Sequence, residues 1–414
     1  MSEFDVIIAG AGMAGATLAL ALKRAGMAPL LVDRQSVDAQ LAPSYDGRAS
    51  AVAYSCFRQW RALGVAGRLE PHAQRIDQIL VTDGRGPGAG ATAGLPAFLH
   101  FDASEIADRS EGEPLGYMVE NRHIRAALAE AVREAGVEVA APVAIEGLRT
   151  GPAAAAVALA DGREVMAPLV VGADGRESAV RREAGIGVVG WPYRQSAVVA
   201  TLGLAEPHGG VAYEHFLPSG PFAILPLTGS RACLVWTESH ARAQALKAAR
   251  PEMFEACLRR RFGDFLGEVE VLGQRFFYPL SLQLAERMTA PRVALLGDAA
   301  HAIHPIAGQG LNLGLKDVAA LAEVVVEAAR LGEDIGSEAV LERYARWRRT
   351  DTVALSVATD VFDRLFSTDL PPVRLARGLG MAAVNRLAPA RRWFMTEAGG
   401  ASGDLPRLLR GESL

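Results

Sequence analysis

The chain has 414 residues, and its 47 acidic against 43 basic side chains leave a formal net charge of −4. Half of the residues are hydrophobic and 22% are charged, which supplies a large core and excludes both a disordered chain and one that grips nucleic acid through bulk basic charge. The three cysteines, Cys56, Cys233 and Cys257, lie far apart, so neither a disulfide framework nor a cysteine-based metal site is expected, and the chain reads as reduced and cytoplasmic.

No basic opening of a signal peptide precedes the apolar run Val6-Ile7-Ile8-Ala9. Asp317, Glu323 and Glu327 break the Val/Ala/Leu-rich segment over 317–329, so no spanning helix is expected. Residues 4–9 read as a buried parallel strand that runs into Gly10-Ala11-Gly12-Met13-Ala14-Gly15. An Ala/Leu-rich helix over 13–25 follows, stops at Gly26, and gives way to a second strand, Pro29-Leu30-Leu31-Val32, which ends at Asp33. In this β-α-β unit Gly10 permits the tight turn, Gly12 lets backbone approach a pyrophosphate, and Gly15 lets helix and strand pack closely. The helix N-terminus, with Met13 and Ala14 on its first turn, offers N–H groups and a positive dipole end to phosphate. Asp33, 23 residues after Gly10, is placed to accept hydrogen bonds from ribose hydroxyls, and the unit predicts dinucleotide binding. The later cluster Gly88–Gly94 is followed by Leu-Pro-Ala-Phe-Leu and reads as a loop between two strands, with no helix start to meet a phosphate.

A helix near 121–135, with Asn121 as its N-cap and Gly136 as its stop, leads to short strands around 137–147 and 155–160. Leu169-Val170-Val171 then ends in Gly172-Ala173-Asp174-Gly175. Between 190 and 280 the pattern changes to aromatic-containing alternating runs at 211–217, 222–227 and 232–237, which predicts an antiparallel sheet. A buried strand returns at 292–296, followed by Gly297-Asp298, a glycine-studded turn and a long helix to about 330. Asp298 is placed to hold a sugar-alcohol chain, and the Gly308–Asn312 amides to stabilise negative charge on a nearby ring. A nicotinamide dehydrogenase has no use for this second cradle, whereas FAD is long enough to span both. His301 and His304 have no third ligand near them in sequence, so no metal site is expected.

The fold class is α/β, a Rossmann-like FAD-binding lobe with an inserted antiparallel-sheet substrate lobe and a C-terminal helical segment. Residues 1–75, 100–185 and 275–330 are assigned to the FAD-binding lobe, 76–99 and 186–274 to the sheet lobe, and 331–414 to the helical region. From 341 to 414 there are 12 Arg and no Lys against 8 acidic residues, a local charge of +4. Apolar groups such as Leu387, Trp393 and Phe394 interleave with those arginines. The pattern suits first a helix docked on the catalytic lobe with its arginines in solvent, and second a face resting on anionic lipid or a partner protein.

Gly10–Gly15 with Asp33, the Gly172–Gly175 stretch, and Gly297 through Asn312 resemble the three fingerprints of the single-component flavin aromatic hydroxylases, typified by para-hydroxybenzoate hydroxylase. Asp46-Gly47-Arg48-Ala49, Gly220-Pro221-Phe222-Ala223-Ile224-Leu225-Pro226 and His304-Pro305-Ile306-Ala307-Gly308-Gln309-Gly310-Leu311-Asn312 further resemble the ubiquinone-biosynthesis hydroxylases, in order from about residue 4 to about 350. The resemblance implies that Gly10, Gly12, Met13, Ala14, Gly15, Asp33 and Arg34 hold the ADP half of a noncovalent FAD. Arg48 would then meet the pyrophosphate, Arg122 the flavin from a helix start, and Asp174 both FAD and the fold. Asp298 would hold the ribityl chain, with Pro305, Gly308, Gln309, Gly310, Leu311 and Asn312 flanking the isoalloxazine ring. The implied reaction is flavin reduction by NADPH or NADH, capture of O₂ as a C4a-hydroperoxide, and hydroxylation of a polyprenylated phenol in ubiquinone biosynthesis. Tyr213 and His215, with Glu214 between them on the sheet, are the candidates for a base that deprotonates the phenol, and alternation admits only some of them to a pocket. An isoprenoid epoxidase or reductase on the same fold, or a non-catalytic flavin-binding assembly subunit, are the alternatives these motifs leave open.

Overall fold

The computed structural model describes residues 3–42, 46–82, 98–106, 112–262, 266–303, 309–349, 378, 380–381, 383–400 and 403–414. Val6–Ala9 is buried along its length because it is the interior strand of a six-stranded sheet, which is why it is an unbroken apolar run. The order across this sheet is Thr289–Ala290, Val293–Leu295, Leu169–Gly172, Val6–Ala9, Pro29–Val32, Glu138–Ala140, parallel except at the Thr289–Ala290 edge. The helices Met13–Arg24 and Gln309–Arg330 pack together beside it, with Ala16, Ala19, Leu315, Val318 and Ala322 buried in one core cluster. Three segments far apart in sequence thus bring Gly10–Gly15, Ala173–Gly175 and Gly297–Asp298 to the same end of the parallel strands.

Above these strand ends lies an eight-stranded sheet. Its order is His301–Ala302, Val269–Ala285, Val188–Leu204, Arg231–Ser239, Gly220–Leu227, Val211–Leu217, Gln78–Thr82, Phe98–Asp102. All its pairs are antiparallel except Val211–Leu217 with Gln78–Thr82. Val269–Ala285 pairs along Val188–Leu204, so the sheet runs on to Ala285, past the sequence-based boundary at 274. Pairing over a whole strand does not stop where composition changes. One face of the sheet is covered by the helices His240–Ala248 and Pro251–Phe262 around Phe222, Trp236 and Phe254. Gly88–Gly94 lies outside the described residues, and the strands that flank it pair antiparallel.

Part of the arginine-rich tail belongs to the core. Met395, in the helix Ala388–Ala398, is buried under the large sheet, and Leu408 and Leu409, in Arg407–Arg410, are buried in the core cluster around the first helix. The same tail leaves Leu387 and Trp393 more than half exposed, with exposed Arg386 and Arg392 beside them. Among the described residues no helix is long and apolar enough to cross a membrane.

Candidate active site

A single cavity of about 550 Å³ runs from the first glycine turn to the open face of the large sheet, within the size range of small-molecule and cofactor sites. At one end Gly12, Met13, Ala14, Ala173, Gly175, Gly297 and Asp298 line it. Arg48, Ser50, Asn121 and Tyr278 line its middle, and Ala197, Val199, Glu214, Pro221, Ala223, Leu225 and Val235 form the far wall.

The glycines at the first end divide by what surrounds them. Gly10 has φ +99°, and a methyl group on it would lie 2.3 Å from the Ala173 carbonyl oxygen. On Gly15 a methyl would lie 1.9 Å from the Gly10 carbonyl oxygen. Gly12 differs, because a methyl there meets no protein atom within 4 Å. The first two make the turn, and the third keeps space open. Asp33 braces the same turn: one carboxylate oxygen accepts from the Ala11 N–H at 2.7 Å and the other from the Gln35 N–H at 2.8 Å, and the oxygens retain lone pairs for further donors. Arg34, one residue on, is exposed and does not line the cavity.

The middle is organised by the buried Asp46. It accepts two bonds from the Arg48 guanidinium at 2.9 and 3.1 Å, one from Asn121 Nδ2 at 2.9 Å and one from Arg125 Nη1 at 3.0 Å. Burial alone would raise the Asp46 carboxyl pKa, but the hydrogen bonds and charge from Arg48, with Asn121, hold it far below the usual carboxylate range. Arg48 is left half-exposed on the cavity wall, 5.0 Å from the centroid of the Tyr278 ring. The helix Asn121–Glu134 turns Asn121 and Arg125, four residues apart, toward Asp46. Glu120 takes the N-cap position instead, and the Asn121 side chain serves the site. Arg122 is rotated away: its guanidinium pairs with Glu120 at 3.0 Å, half-exposed and outside the cavity lining. The arginine expected near the flavin is therefore a surface pair, and its neighbour Asn121 is the residue the structure brings to the cavity.

The Gly297–Ala299 turn presents Asp298, exposed, to the cavity, and it is held from behind. Asp317, wholly buried in the helix Gln309–Arg330, accepts from the Gly297 N–H at 3.0 Å, from Arg348 Nε at 2.8 Å, and pairs with His301 Nε2 at 2.6 Å. Burial would raise the Asp317 pKa, and the charges and hydrogen bonds of His301 and Arg348 outweigh it and hold it below its ordinary value. In sequence Asp317 is merely a charge interrupting an apolar helix, and no spacing signal links it to His301 or Arg348. Two other acids and amides predicted to touch a ligand are spent on the chain itself. Asp174 accepts from Ser178 Oγ and from the Ala179 and Val180 N–H groups, capping the helix Ala179–Glu183, and does not line the cavity. Asn312 accepts from Ala53 N–H and donates to the Ala51 carbonyl, each at 2.8 Å, pinning the long helix to the strand Ala49–Ala53. Gly310 and Leu311 do line the cavity, and Gln309 starts the described part of the helix. Pro305 and Gly308 lie outside the described residues.

On the sheet wall the two named base candidates are corrected. Strand alternation turns Ala212, Glu214 and Phe216 to one face and Tyr213 and His215 to the other. Tyr213 packs on the helix-covered cluster, where burial raises its hydroxyl pKa, and His215 is 6.2 Å from the Phe222 ring, where burial lowers its imidazole pKa. Neither lines the cavity. Glu214 does.

A model of the FAD binding domain matches residues 3–358. The chain is 46% identical over 414 residues to ubiquinone hydroxylase UbiL of Rhodospirillum rubrum, covering 99% of this chain and 93% of that one. It is 35% identical over 395 residues to 3-demethoxyubiquinol 3-hydroxylase of Escherichia coli, covering 94% and 96%. The chain belongs to the FAD-dependent ubiquinone-biosynthesis hydroxylases. Among solved structures, p-nitrophenol 4-monooxygenase PnpA of Pseudomonas putida shares this hydroxylase's fold, with a TM-score of 0.79 at 19% identity over 98% of this chain and all of that one.

The residues present fit the cofactor of this hydroxylase family. The open space beside Gly12, at the N-terminus of Met13–Arg24, suits a pyrophosphate, which the first-turn N–H groups and the helix dipole would stabilise. Asp33 and Asp298 stand as carboxylate acceptors at positions set by two different turns, as the ribose and ribityl hydroxyls of one long cofactor require. Among the described residues no cluster of three or more ligating side chains exists that would hold a metal.

Proposed function

We infer that this chain hydroxylates the ring of a phenol bearing a polyprenyl chain, in ubiquinone biosynthesis, with O₂ as oxidant and NADPH or NADH as reductant. The observation that carries the reading is the single cavity that joins the glycine cradle to an apolar sheet wall. FAD bound in that cradle would supply the redox chemistry. The chain's part is to bind and orient. Gly12 and the helix N-terminus would take the pyrophosphate, Arg48 would offer it a guanidinium, and Asp33 and Asp298 would accept from the sugar hydroxyls. Ala197, Val199, Ala223, Leu225 and Val235 line the far wall with small aliphatic groups, which admit an aromatic ring and exclude water from it.

The reading is tested by supplying the yellow holoprotein with NADPH, O₂ and a short-chain 2-prenylphenol, and following the product by mass. Gain of one oxygen atom, with one NADPH consumed per product, is the expected result. Reductant consumption unaffected by any phenol, with no oxygenated product, would refute it. Exposed Leu387 and Trp393 beside Arg386 and Arg392 support peripheral contact with anionic lipid as the route by which an apolar substrate arrives. Leu387→Ser with Trp393→Ser should then abolish cosedimentation with anionic vesicles while leaving turnover of a soluble phenol unchanged. Unchanged cosedimentation would remove this face from the route. Removing residues 384–414 is a poor test, because it strips Met395, Leu408 and Leu409 from the core.

A further inference from the structure

His301 belongs to both ends of the cavity at once. Its backbone lies in the strand His301–Ala302, which pairs antiparallel with Gln283 and Leu284 at the edge of the large sheet. The partner strand, Val269–Ala285, carries Tyr278 and Leu280 on the cavity wall, and Ala302 and Ile303 line the cavity with Asp298. The His301 side chain leaves that sheet and enters the flavin lobe, where Nε2 meets Asp317 Oδ2 of the long helix at 2.6 Å. The same oxygen accepts from the Gly297 N–H at 3.0 Å, one residue before Asp298.

Asp317 is ionised, so Nε2 is the ring nitrogen that carries a proton and donates. Nδ1 is buried and has no hydrogen-bond partner among the described residues. An unpaired buried nitrogen is unfavourable, and an apolar side chain of similar size would avoid it. What an apolar side chain could not supply is the bond from Nε2. Other supports of the turn act further along: Arg181 Nη1 donates to the Ala299 carbonyl at 2.9 Å and the Ala285 N–H to the Ala300 carbonyl at 2.7 Å. Those hold Ala299 and Ala300, whereas the N–H of Gly297 is held by Asp317.

We propose that His301 is a positioning residue: through Asp317 it fixes the Asp298 turn, which would hold the cofactor, relative to the sheet that would hold the ring. The role assigned to the sheet rests on the hydroxylase reading above. His301 does not itself line the cavity. Its bond sets the spacing between two lobes, and a misplacement of about 1 Å between reacting groups is enough to cost roughly 10²-fold.

The test compares two amides at this one position. Glutamine can place its Nε2 donor where that of His301 lies, whereas asparagine, shorter by one methylene, reaches only to the place of Nδ1. His301→Asn should bind FAD at least about tenfold more weakly in a fluorescence titration of the apoprotein, some 1.4 kcal/mol. With a short-chain 2-prenylphenol its yield of oxygenated product per NADPH should fall below roughly half that of wild type. The remaining NADPH should pass its two electrons to O₂, which leaves as hydrogen peroxide. His301→Gln should recover both quantities to within about threefold. Lowered stability in urea with wild-type FAD affinity and wild-type product yield would make His301 a packing residue and overturn the proposal. A glutamine variant no better than the asparagine variant would overturn it as well. If the wild type itself forms no oxygenated phenol, the hydroxylase reading fails, and the FAD titrations alone decide the role of His301.

Discussion

The two ends of the cavity are built by different means. At the cradle end the chain uses backbone: glycines whose missing side chains admit a turn or a ligand, N–H groups at a helix start, and acids one to three residues past a strand end. At the sheet end it uses side chains projected from neighbouring strands, an aliphatic surface with Glu214 set in it. A backbone site is written in a few consecutive residues. A side-chain wall is written in strand pairing, and a slip of one residue along Val211–Leu217 would put Tyr213 and His215 in the cavity in place of Glu214.

The sharpest way to break this contrast is at the glycines. Gly15→Val should yield no folded flavoprotein, because a side chain there collides with the Gly10 carbonyl. Gly12→Ala should fold with stability within about 1 kcal/mol of wild type, yet bind FAD at least about tenfold more weakly, some 1.4 kcal/mol. Expression, urea unfolding and flavin fluorescence titration separate the two. If both variants behave alike, the distinction between turn-forming and ligand-facing glycines is wrong.

Next comes the support behind the cradle. Asp317→Ala leaves His301 and Arg348 buried without their counter-charge and should cost about 3–5 kcal/mol in denaturant unfolding. The pH dependence has a definite sign. Asp317 is held below its ordinary pKa in the folded chain, so its contribution is fully present above the unfolded value of about 3.9 and is lost as pH falls below it. Apoprotein stability should therefore fall more steeply below about pH 4 in wild type than in Asp317→Asn. Parallel curves would show that the pair carries no such linkage.

Smaller effects sharpen the boundary of the site. Asp298→Ala should leave apoprotein stability within about 0.5 kcal/mol and weaken flavin binding by roughly tenfold, the loss of a charge-assisted hydrogen bond. A variant with wild-type flavin affinity would take Asp298 out of the site. Arg122→Ala, which removes a half-exposed pair with Glu120, should change stability by no more than about 0.5 kcal/mol and leave flavin content unaltered. Loss of flavin from that variant would return Arg122 to the cofactor.

Much of the molecule was legible without coordinates. The β-α-β unit, the return of a buried strand before Gly297-Asp298, the antiparallel insert and the cofactor class all follow from local patterns whose physical cause is local: positive φ and close approach at glycine, helix starts, and two-residue or continuous apolar periodicity. The antiparallel runs appeared as Val211–Leu217, Gly220–Leu227 and Arg231–Ser239, within two residues of their predicted limits. Asn121, read as a helix cap, faces the cavity, and Arg122, read as the cofactor's neighbour, faces away, because a rotation of about 100° per residue separates them on the helix, and only the position of Asp46 decides which side is inside.

The sequence by itself determined the cradle, since each of its parts is a constraint on consecutive backbone. Tertiary structure alone decided the rest. It joined Asp317 to His301 and Arg348, drew Asp46 to Arg125, spent Asn312 on the backbone of a distant strand, and turned Glu214 rather than its neighbours inward. These are contacts between residues tens to hundreds of positions apart or choices between two faces of one strand. A buried charge is affordable only where distant partners converge on it, and no local pattern in the chain records where that happens.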